Sequence, residues 1–254
     1  MRRFTLATSF LVAILLSGCA PVDPTATSQP ELTSIPYAVP LTIAAAPAYV
    51  AADQGYWSDL DLDVNLELYN SGREALDVLL AGSAQVMSVS ETPPLRAVLG
   101  GQDLRWIATV TDHRETKLTV RTDRIGDDFD LAGHRIGTVA GTNSDYYLSQ
   151  WLDANRLTPD DVEIIALDPP SLVQAFIQGD VDAMFAWEPH NYNAYSQLGD
   201  LAASAPTTLY EGRHSIIMDA QFTTSHQDEA RLLLEGFRLA EEFIAEHPVE
   251  AKAI

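Results

Sequence analysis

The sequence predicts an α/β fold with two lobes, each a mostly parallel sheet flanked by helices. The clearest indication is the stretch from Ile164 to His190, in which an apolar run stops at Pro169-Pro170 and a helical pattern follows. Gly179 then precedes a second apolar run that ends at Trp187. Strand, helix and strand in so short a stretch form a βαβ unit, and such units build parallel sheets. A regular alternation of strand and helix patterns before this stretch predicts the other lobe.

The first lobe is expected to begin with alternating strands and helices. Short apolar or alternating runs predict its strands, and apolar residues three to four positions apart predict its helices. The expected order is a strand at 39–45, a helix at 49–56, a strand at 62–68, a helix from 72 to 82, a strand at 85–89, a helix from 92 to 99 and a strand at 104–110.

The second lobe is expected to repeat this alternation, after which the chain returns to the first lobe. The expected elements are strands at 118–121 and 134–140, a helix at 145–155, the βαβ unit and a short strand at 201–203. A last strand at 215–218 and helices at 227–246 and 249–254 complete the pattern.

The N-terminal segment is typical of an export signal. Arg2-Arg3 and the uncharged run from Phe4 to Leu16 match its charged and apolar regions, and the run is too short to span a bilayer. Leu16-Ser17-Gly18-Cys19 resembles a bacterial lipobox, although an ordinary signal with a chance cysteine is the alternative. We therefore predict a lipoprotein signal peptide at 1–18, lipidation of Cys19 and a flexible tether at 19–36 that is rich in proline and polar residues.

Composition excludes several classes of function. The formal net charge of −21 argues against nucleic-acid binding, because few basic groups are available to neutralise phosphates. Cys19 is the only cysteine, so no intramolecular disulfide can form. The chain lacks nucleophile-elbow, phosphate-loop, dinucleotide and zinc-protease motifs, and its histidines have no metal-ligand spacing. We therefore predict no catalytic residue, no cofactor and no metal.

Three strand-to-helix turns carry small polar residues that suit an anion. Helix N-termini offer unpaired N–H groups and the positive end of the helix dipole, and hydroxyl or amide side chains add donors. The alternative is that these side chains only cap their helices. The residues concerned are Ser71 in the first turn, Ser90 and Thr92 in the second, and Thr142, Asn143 and Ser144 in the third.

Two glutamates and several aromatic residues are further candidates. Glu91 and Glu188 directly follow predicted strands, so both could face a cleft at the carboxyl ends of the sheets and bind a cationic group. The alternative is that both are solvated surface residues. Trp187 and Tyr49 could supply apolar or cation–π walls, although for each residue taken alone core packing is the favoured interpretation.

Five segments together resemble the periplasmic substrate-binding proteins of ABC transporters, of the nitrate/sulfonate/taurine type that also includes pyrimidine-precursor binders. In chain order, after the lipobox, they are APAYVAADQGYW, GSAQVMSVSETPP, DLAGHRIGTVAGTNS and GDVDAMFAWEPH. The resemblance implies a two-lobed periplasmic-binding-protein (type II) fold with ligand between the lobes. It places lobe 1 at 37–121 and 210–254 and lobe 2 at 122–209. It also implies that 90–92, 142–144 and 187–188 contact ligand, and that the chain stops at Ile254 before helices which the family normally adds.

The resulting hypothesis is a lipid-anchored, extracytoplasmic and monomeric binding protein of an ABC importer. Its partners are a small anionic or zwitterionic solute similar to taurine or an alkanesulfonate, a permease with its ATPase, and the membrane that holds the lipid of Cys19. The alternatives are a binder of a pyrimidine or thiamine-precursor heterocycle, a biosynthetic enzyme on the same fold, or a sensor module. The sequence leaves the solute open.

Overall fold

The computed structural model describes residues 34–126, 128–205 and 209–254. In these ranges it contains ten strands, which form two five-stranded sheets. The strands are β1 (Ser34–Pro40), β2 (Asp63–Tyr69), β3 (Val86–Ser90), β4 (Leu104–His113), β5 (Lys117–Arg121), β6 (Arg135–Thr138), β7 (Glu163–Ala166), β8 (Ala183–Ala186), β9 (Ala202–Ser204) and β10 (Gly212–Asp219).

The same ranges contain nine α-helices, most of which follow a strand directly. They are α1 (Ala46–Asp53), α2 (Gly72–Leu80), α3 (Thr92–Leu99), α4 (Asn143–Ala154), α5 (Pro169–Gln178), α6 (His190–Leu198), α7 (Ala220–Ser225), α8 (Gln227–Glu246) and α9 (Pro248–Ala251). None of these described helices is long and apolar enough to cross a membrane.

The first sheet has the strand order β2-β1-β3-β10-β4. β1 is parallel to both β2 and β3, whereas β10 is antiparallel to both β3 and β4. Four strands therefore run in one direction and the returning strand β10 runs against them, which confirms a mostly parallel sheet.

The second sheet has the order β7-β6-β8-β5-β9 and the same plan. β6 is parallel to β7 and β8, and β5 is antiparallel to β8 and β9. The predicted boundary between the lobes at residue 121 is therefore wrong, because β5 belongs to the second sheet. Leu118 and Val120 bury their side chains in the core of that sheet. The sequence LTVR indicates a strand but carries no information about which sheet it joins.

Two crossovers connect the two sheets, one at 114–116 and one between β9 and β10. Gly212, at the end of the second crossover, lies against the ring of His113 at the start of the first. A Cβ at position 212 would come within 2.5 Å of His113 Cε1, so only glycine allows this close approach.

Helices cover both faces of each sheet and exclude water from its apolar side chains. Helices α1 and α8 pack on one face of the first sheet and α2 on the other, while α4 and the pair α5 and α6 cover the two faces of the second. Trp57 contacts α8, because its indole N–H donates to the Leu233 carbonyl at 3.0 Å.

The structure corrects two predictions for the N-terminal part of the chain, the end of the tether and the bounds of the first strand. β1 already begins at Ser34, so the predicted tether to residue 36 is too long, and the strand predicted at 39–45 starts earlier and ends at Pro40. Ile35 and Tyr37 are fully buried, although the prolines at 36 and 40 conceal the strand in the sequence. The predicted signal peptide and Cys19 lie outside the described residues.

Candidate functional site

A small cavity of about 20 Å³ lies between the two sheets. A buried water molecule needs about 10–15 Å³ on this scale, so the cavity has room for a group of only a few atoms. Its described lining contains no lysine or arginine. The lining residues are Pro40, Thr42, Gly72, Val89, Ser90, Pro93 and His214 from the first lobe, Glu115 from the first crossover, and Thr142, Asn143 and Trp187 from the second lobe.

The starts of several helices converge on this cavity. Gly72 is the first residue of α2, Pro93 the second of α3 and Asn143 the first of α4. Thr42 caps the 3-10 turn Ile43–Ala45 that leads into α1. A helix start carries the positive end of the helix dipole and first-turn N–H groups, so its place beside the cavity favours an anion without a cationic side chain. Pro93 and Pro94 reduce the N–H contribution of α3.

Gly72 allows α2 to start close to the cavity. A Cβ at this position would lie 2.4 Å from Val89 Cγ2, so a larger residue would push the helix away from β3. Ser71, the preceding residue, caps the helix by accepting a hydrogen bond from Glu74 N at 3.2 Å. Ser71 lines an adjoining groove of about 310 Å³ rather than the cavity itself.

The turn before α4 combines capping residues with lining residues. The Thr142 hydroxyl donates to the Val139 carbonyl at 2.7 Å and accepts from Ser144 N at 3.2 Å. The Asn143 amide donates to the Thr116 hydroxyl on the first crossover. Ser144 is fully buried and donates to the Phe185 carbonyl, so it supports the turn from below and does not line the cavity.

Of the two aromatic candidates, Trp187 lines the cavity and Tyr49 does not. Trp187 lines the cavity and joins the two lobes, because its indole N–H donates to the Leu41 carbonyl at 3.1 Å. The Tyr49 hydroxyl donates to the Pro40 carbonyl at 3.0 Å, so Tyr49 fixes the end of β1 but lies outside the cavity lining.

Glu91 and its neighbour Thr92 lie outside the cavity, against the sequence-based expectation. The Tyr210 hydroxyl donates to Glu91 Oε1 at 2.8 Å, and the backbone N–H of Arg213 donates to Oε2 at 2.9 Å. Glu91 and Thr92 line a separate groove of about 410 Å³ that also contains Tyr146. Glu91 therefore links the start of α3 to the second crossover.

Glu188 also lies outside the cavity, and donors of its own lobe bind both of its oxygens. Lys117 Nζ donates to Oε1 at 2.9 Å, and the backbone N–H of Tyr192 donates to Oε2 at 2.9 Å. The carboxylate thus caps the first turn of α6 and pairs with the first residue of β5.

Four of the predicted site residues therefore line the cavity, namely Ser90, Thr142, Asn143 and Trp187. Their contact with a ligand stays a prediction. Ser90 is also joined to the first crossover, because its hydroxyl lies 2.9 Å from His113 Nε2.

Sequence reasoning missed three polar lining residues, Thr42, Glu115 and His214. Glu115 is 5% exposed, and its Oε1 accepts a hydrogen bond from the Thr42 hydroxyl. Among the described residues, its Oε2 has no hydrogen-bond partner, and neither ring nitrogen of the fully buried His214 has one. Buried polar atoms normally have partners, so these atoms indicate a place where a ligand can supply them. A histidine beside the apolar run at 215–218 was a usable signal for His214, whereas nothing in the sequence distinguishes Glu115 or Thr42.

Burial sets the protonation of these groups. It raises the pKa of Glu115 to about 7, because the charged form loses its hydration. Burial lowers the pKa of His113, and with the neighbouring His113 ring it lowers that of His214 to about 3. Both imidazoles are therefore neutral near pH 7, and each offers one N–H donor and one acceptor. In the described part of the chain, no group of three or more histidine, cysteine or acidic side chains is arranged to hold a metal ion.

Comparison with protein families gives one match over most of the described chain. The model for "NMT1/THI5 like" proteins matches residues 42–251.

Two curated relatives are bacterial binding proteins. The taurine-binding periplasmic protein of Escherichia coli (strain K12) is 29% identical over 161 residues, which cover 60% of this chain and 49% of that protein. A protein of Bacillus subtilis (strain 168), provisionally named as an aliphatic sulfonates-binding protein, is 26% identical over 248 residues. These residues cover 94% of this chain and 74% of that relative. The chain thus spans about half the length of the first relative and about three quarters of the second.

Solved structures share the architecture. The alkanesulfonate-binding protein SsuA from Xanthomonas axonopodis pv. citri, bound to MOPS, superposes with a TM-score of 0.73 at 19% identity, over 86% of this chain and 76% of that one. The periplasmic nitrate-binding protein NrtA from Synechocystis PCC 6803 gives 0.70 at 17% identity, over 84% and 62% of the two chains. These likenesses confirm the predicted two-lobed periplasmic-binding-protein fold.

Proposed function

Because the chain belongs to the NMT1/THI5-like family and its named relatives are binding proteins, we propose that it is the extracytoplasmic solute-binding component of an ABC importer and that it captures a small sulfonate between its two lobes. The named relatives bind taurine or are assigned to aliphatic sulfonates, which supports this class of solute. A permease and its ATPase are the proposed partners.

The observation that carries the proposal is the convergence of three α-helix starts on a buried cavity whose described lining has no cationic side chain. Backbone N–H groups and the neutral His214 N–H can donate to the three oxygens of a sulfonate. A sulfonate remains an anion at every physiological pH, so binding it requires donors rather than a base. The small cavity fits the head group, and we expect a whole solute to move the sheets apart.

Binding of ethanesulfonate, taurine and nitrate to the full chain tests this proposal by isothermal titration calorimetry. The expected result is saturable one-to-one binding of at least one sulfonate. Asn143→Asp is the matched variant, because an aspartate at the start of α4 suits the helix dipole but repels an anion. It should weaken sulfonate binding at least tenfold, and a cooperative thermal melt checks that the variant is folded. Absence of binding by both sulfonates, from a protein that melts cooperatively, would contradict the proposal, whether or not nitrate binds.

The proposed membrane anchor rests on the lipobox sequence before Cys19. Cells that express the full chain should incorporate labelled palmitate into it, and Cys19→Ser should abolish the label. Equal labelling of both proteins would exclude lipidation at this residue.

A further inference from the structure

Glu115 is a buried carboxyl group that the protein leaves partly unpaired. It lies in the short crossover between β4 and β5 and lines the cavity. The Thr42 hydroxyl occupies one oxygen, and among the described residues no donor reaches the other. The nearest histidine nitrogen, His113 Nδ1, is 3.8 Å from Oε1, which is too long for a hydrogen bond. A buried carboxylate without a cationic partner is costly, so a bound ligand that supplies one would stabilise it.

The other two carboxylates near the cleft cannot take this role without losing existing contacts. Glu91 accepts from Tyr210 and from the backbone of Arg213, and Glu188 accepts from Lys117 and from the backbone of Tyr192. Of the three glutamates, only Glu115 combines a place in the cavity lining with an oxygen that lacks a donor in the described structure.

We propose that Glu115 selects a zwitterionic solute, an amino-sulfonate whose anionic head group lies at the helix starts and whose ammonium group donates to Glu115 Oε2. This inference rests on the proposed function and specifies its substrate class. Lysine and arginine are absent from the described lining, which combines the starts of α2, α3 and α4 with the carboxyl group of Glu115. That polarity matches a short zwitterion better than a simple anion.

Five ionisable groups from the surrounding elements face Glu115, and none of them obscures its titration near neutral pH. Burial lowers the pKa of His214 to about 3 and raises the pKa of Tyr49, so both stay neutral between pH 6 and 8, and it lowers the pKa of His113 below its ordinary value. Lys117 and Glu188 form an ion pair with each other. Glu115, whose pKa burial raises to about 7, is therefore the group in the cavity whose charge changes in this range.

The two classes of ligand should consequently respond to pH in opposite directions. An ammonium group needs the carboxylate form of Glu115, so an amino-sulfonate should bind more tightly as pH rises from 6 to 8. A plain sulfonate is repelled by that carboxylate, so its affinity should fall over the same range.

The test is calorimetric titration of the full chain with taurine and with ethanesulfonate, two probes that differ only by the amino group, at pH 6, 7 and 8. At pH 8 we expect taurine to bind at least tenfold more tightly than ethanesulfonate. Glu115→Gln should reduce taurine affinity at least tenfold, raise ethanesulfonate affinity a few-fold and remove both pH trends. Retained ethanesulfonate binding shows that the variant is folded. Glu188→Gln is the matched control and should preserve the preference for taurine.

Several outcomes would overturn the assignment and separate it from the proposed function. Equal affinities for the two probes, or unchanged taurine binding in Glu115→Gln, would refute the role of Glu115 while leaving sulfonate capture intact. Loss of the preference in Glu188→Gln alone would transfer the role to that residue. Failure of the wild-type chain to bind either probe would refute the proposed function and this inference with it.

Discussion

Two buried carboxylates, Asp182 and Glu115, have almost the same exposure and opposite surroundings. Asp182 is 6% exposed and Glu115 is 5% exposed. Asp182 accepts hydrogen bonds from Arg124 at 2.5 Å, from the guanidinium of Arg135 at 2.8 and 3.2 Å, and from Arg135 N at 3.0 Å. Glu115 has the Thr42 hydroxyl on one oxygen and, within the described structure, no partner on the other.

This difference distinguishes a carboxylate that stabilises the fold from one that is available to bind a ligand. Although burial opposes ionisation of Asp182, hydrogen bonds from the two arginines outweigh it and hold its pKa far below the usual range. The pKa of Glu115 is raised instead, because the effect of burial outweighs the hydrogen bonds that oppose it. Evolution of a stable core alone would favour the first arrangement.

The largest expected effect is the loss of stability in Asp182→Asn. The amide cannot accept all of the hydrogen bonds, and two guanidinium groups lose their counter-ion, so the free energy of unfolding should fall by about 2–3 kcal/mol. Because the folded-state pKa of Asp182 is depressed, its contribution is present above about pH 3.8 and is lost as pH falls below it. Urea unfolding at pH 6 and pH 3 should show the wild-type advantage shrinking in acid. An equal advantage at both pH values would contradict this account of Asp182.

Glu115→Gln should have the opposite pH signature. The folded-state pKa of Glu115 is raised, so the folded protein binds more protons than the unfolded chain between about pH 4.5 and 7. Wild-type stability should therefore decline relative to Glu115→Gln over this range, and the difference should stay constant above it. Urea unfolding of both proteins across this range measures the difference and cancels the general effect of net charge. A constant difference from pH 4.5 to 8 would show that Glu115 does not titrate as proposed.

The smallest expected change in the free energy of unfolding comes from substituting two buried polar side chains. The Thr119 hydroxyl lies 3.0 Å from both Asn191 Oδ1 and Ser204 Oγ, whereas His214 has no described partner. Thr119→Val should cost about 1 kcal/mol, because it removes a satisfied hydroxyl and leaves its partners unpaired. His214→Leu should leave the free energy of unfolding unchanged or raise it slightly, while it weakens sulfonate binding. A larger loss of stability in His214→Leu than in Thr119→Val would indicate that His214 is a structural residue.

Local sequence patterns predicted most of the strand and helix order and the turns that surround the cavity, but not α6 or α7. The βαβ unit at 164–190 and the turn at 142–144 were predictable because their information lies within one short stretch. The sheet assignment of β5 was not, since its partners β8 and β9 are chosen by packing of Leu118 and Val120 in the folded protein.

The roles of the glutamates depended on contacts that are distant in sequence. Tyr210, which donates a hydrogen bond to Glu91, is 119 residues away from it in sequence. Lys117, which pairs with Glu188, is 71 residues away. A strand-end position therefore predicted that both carboxylates approach the cleft but could not show that other residues already bind them. Glu115 became recognisable only once its burial and its unpaired oxygen were known.

A crystal structure of the full chain with taurine tests the central claim most directly. The account predicts the sulfonate between the starts of α2 and α4 and beside His214, with the ammonium nitrogen within hydrogen-bond distance of Glu115 Oε2. Taurine bound outside this cavity, or in it with the ammonium group on Glu91 or Glu188, would contradict the account.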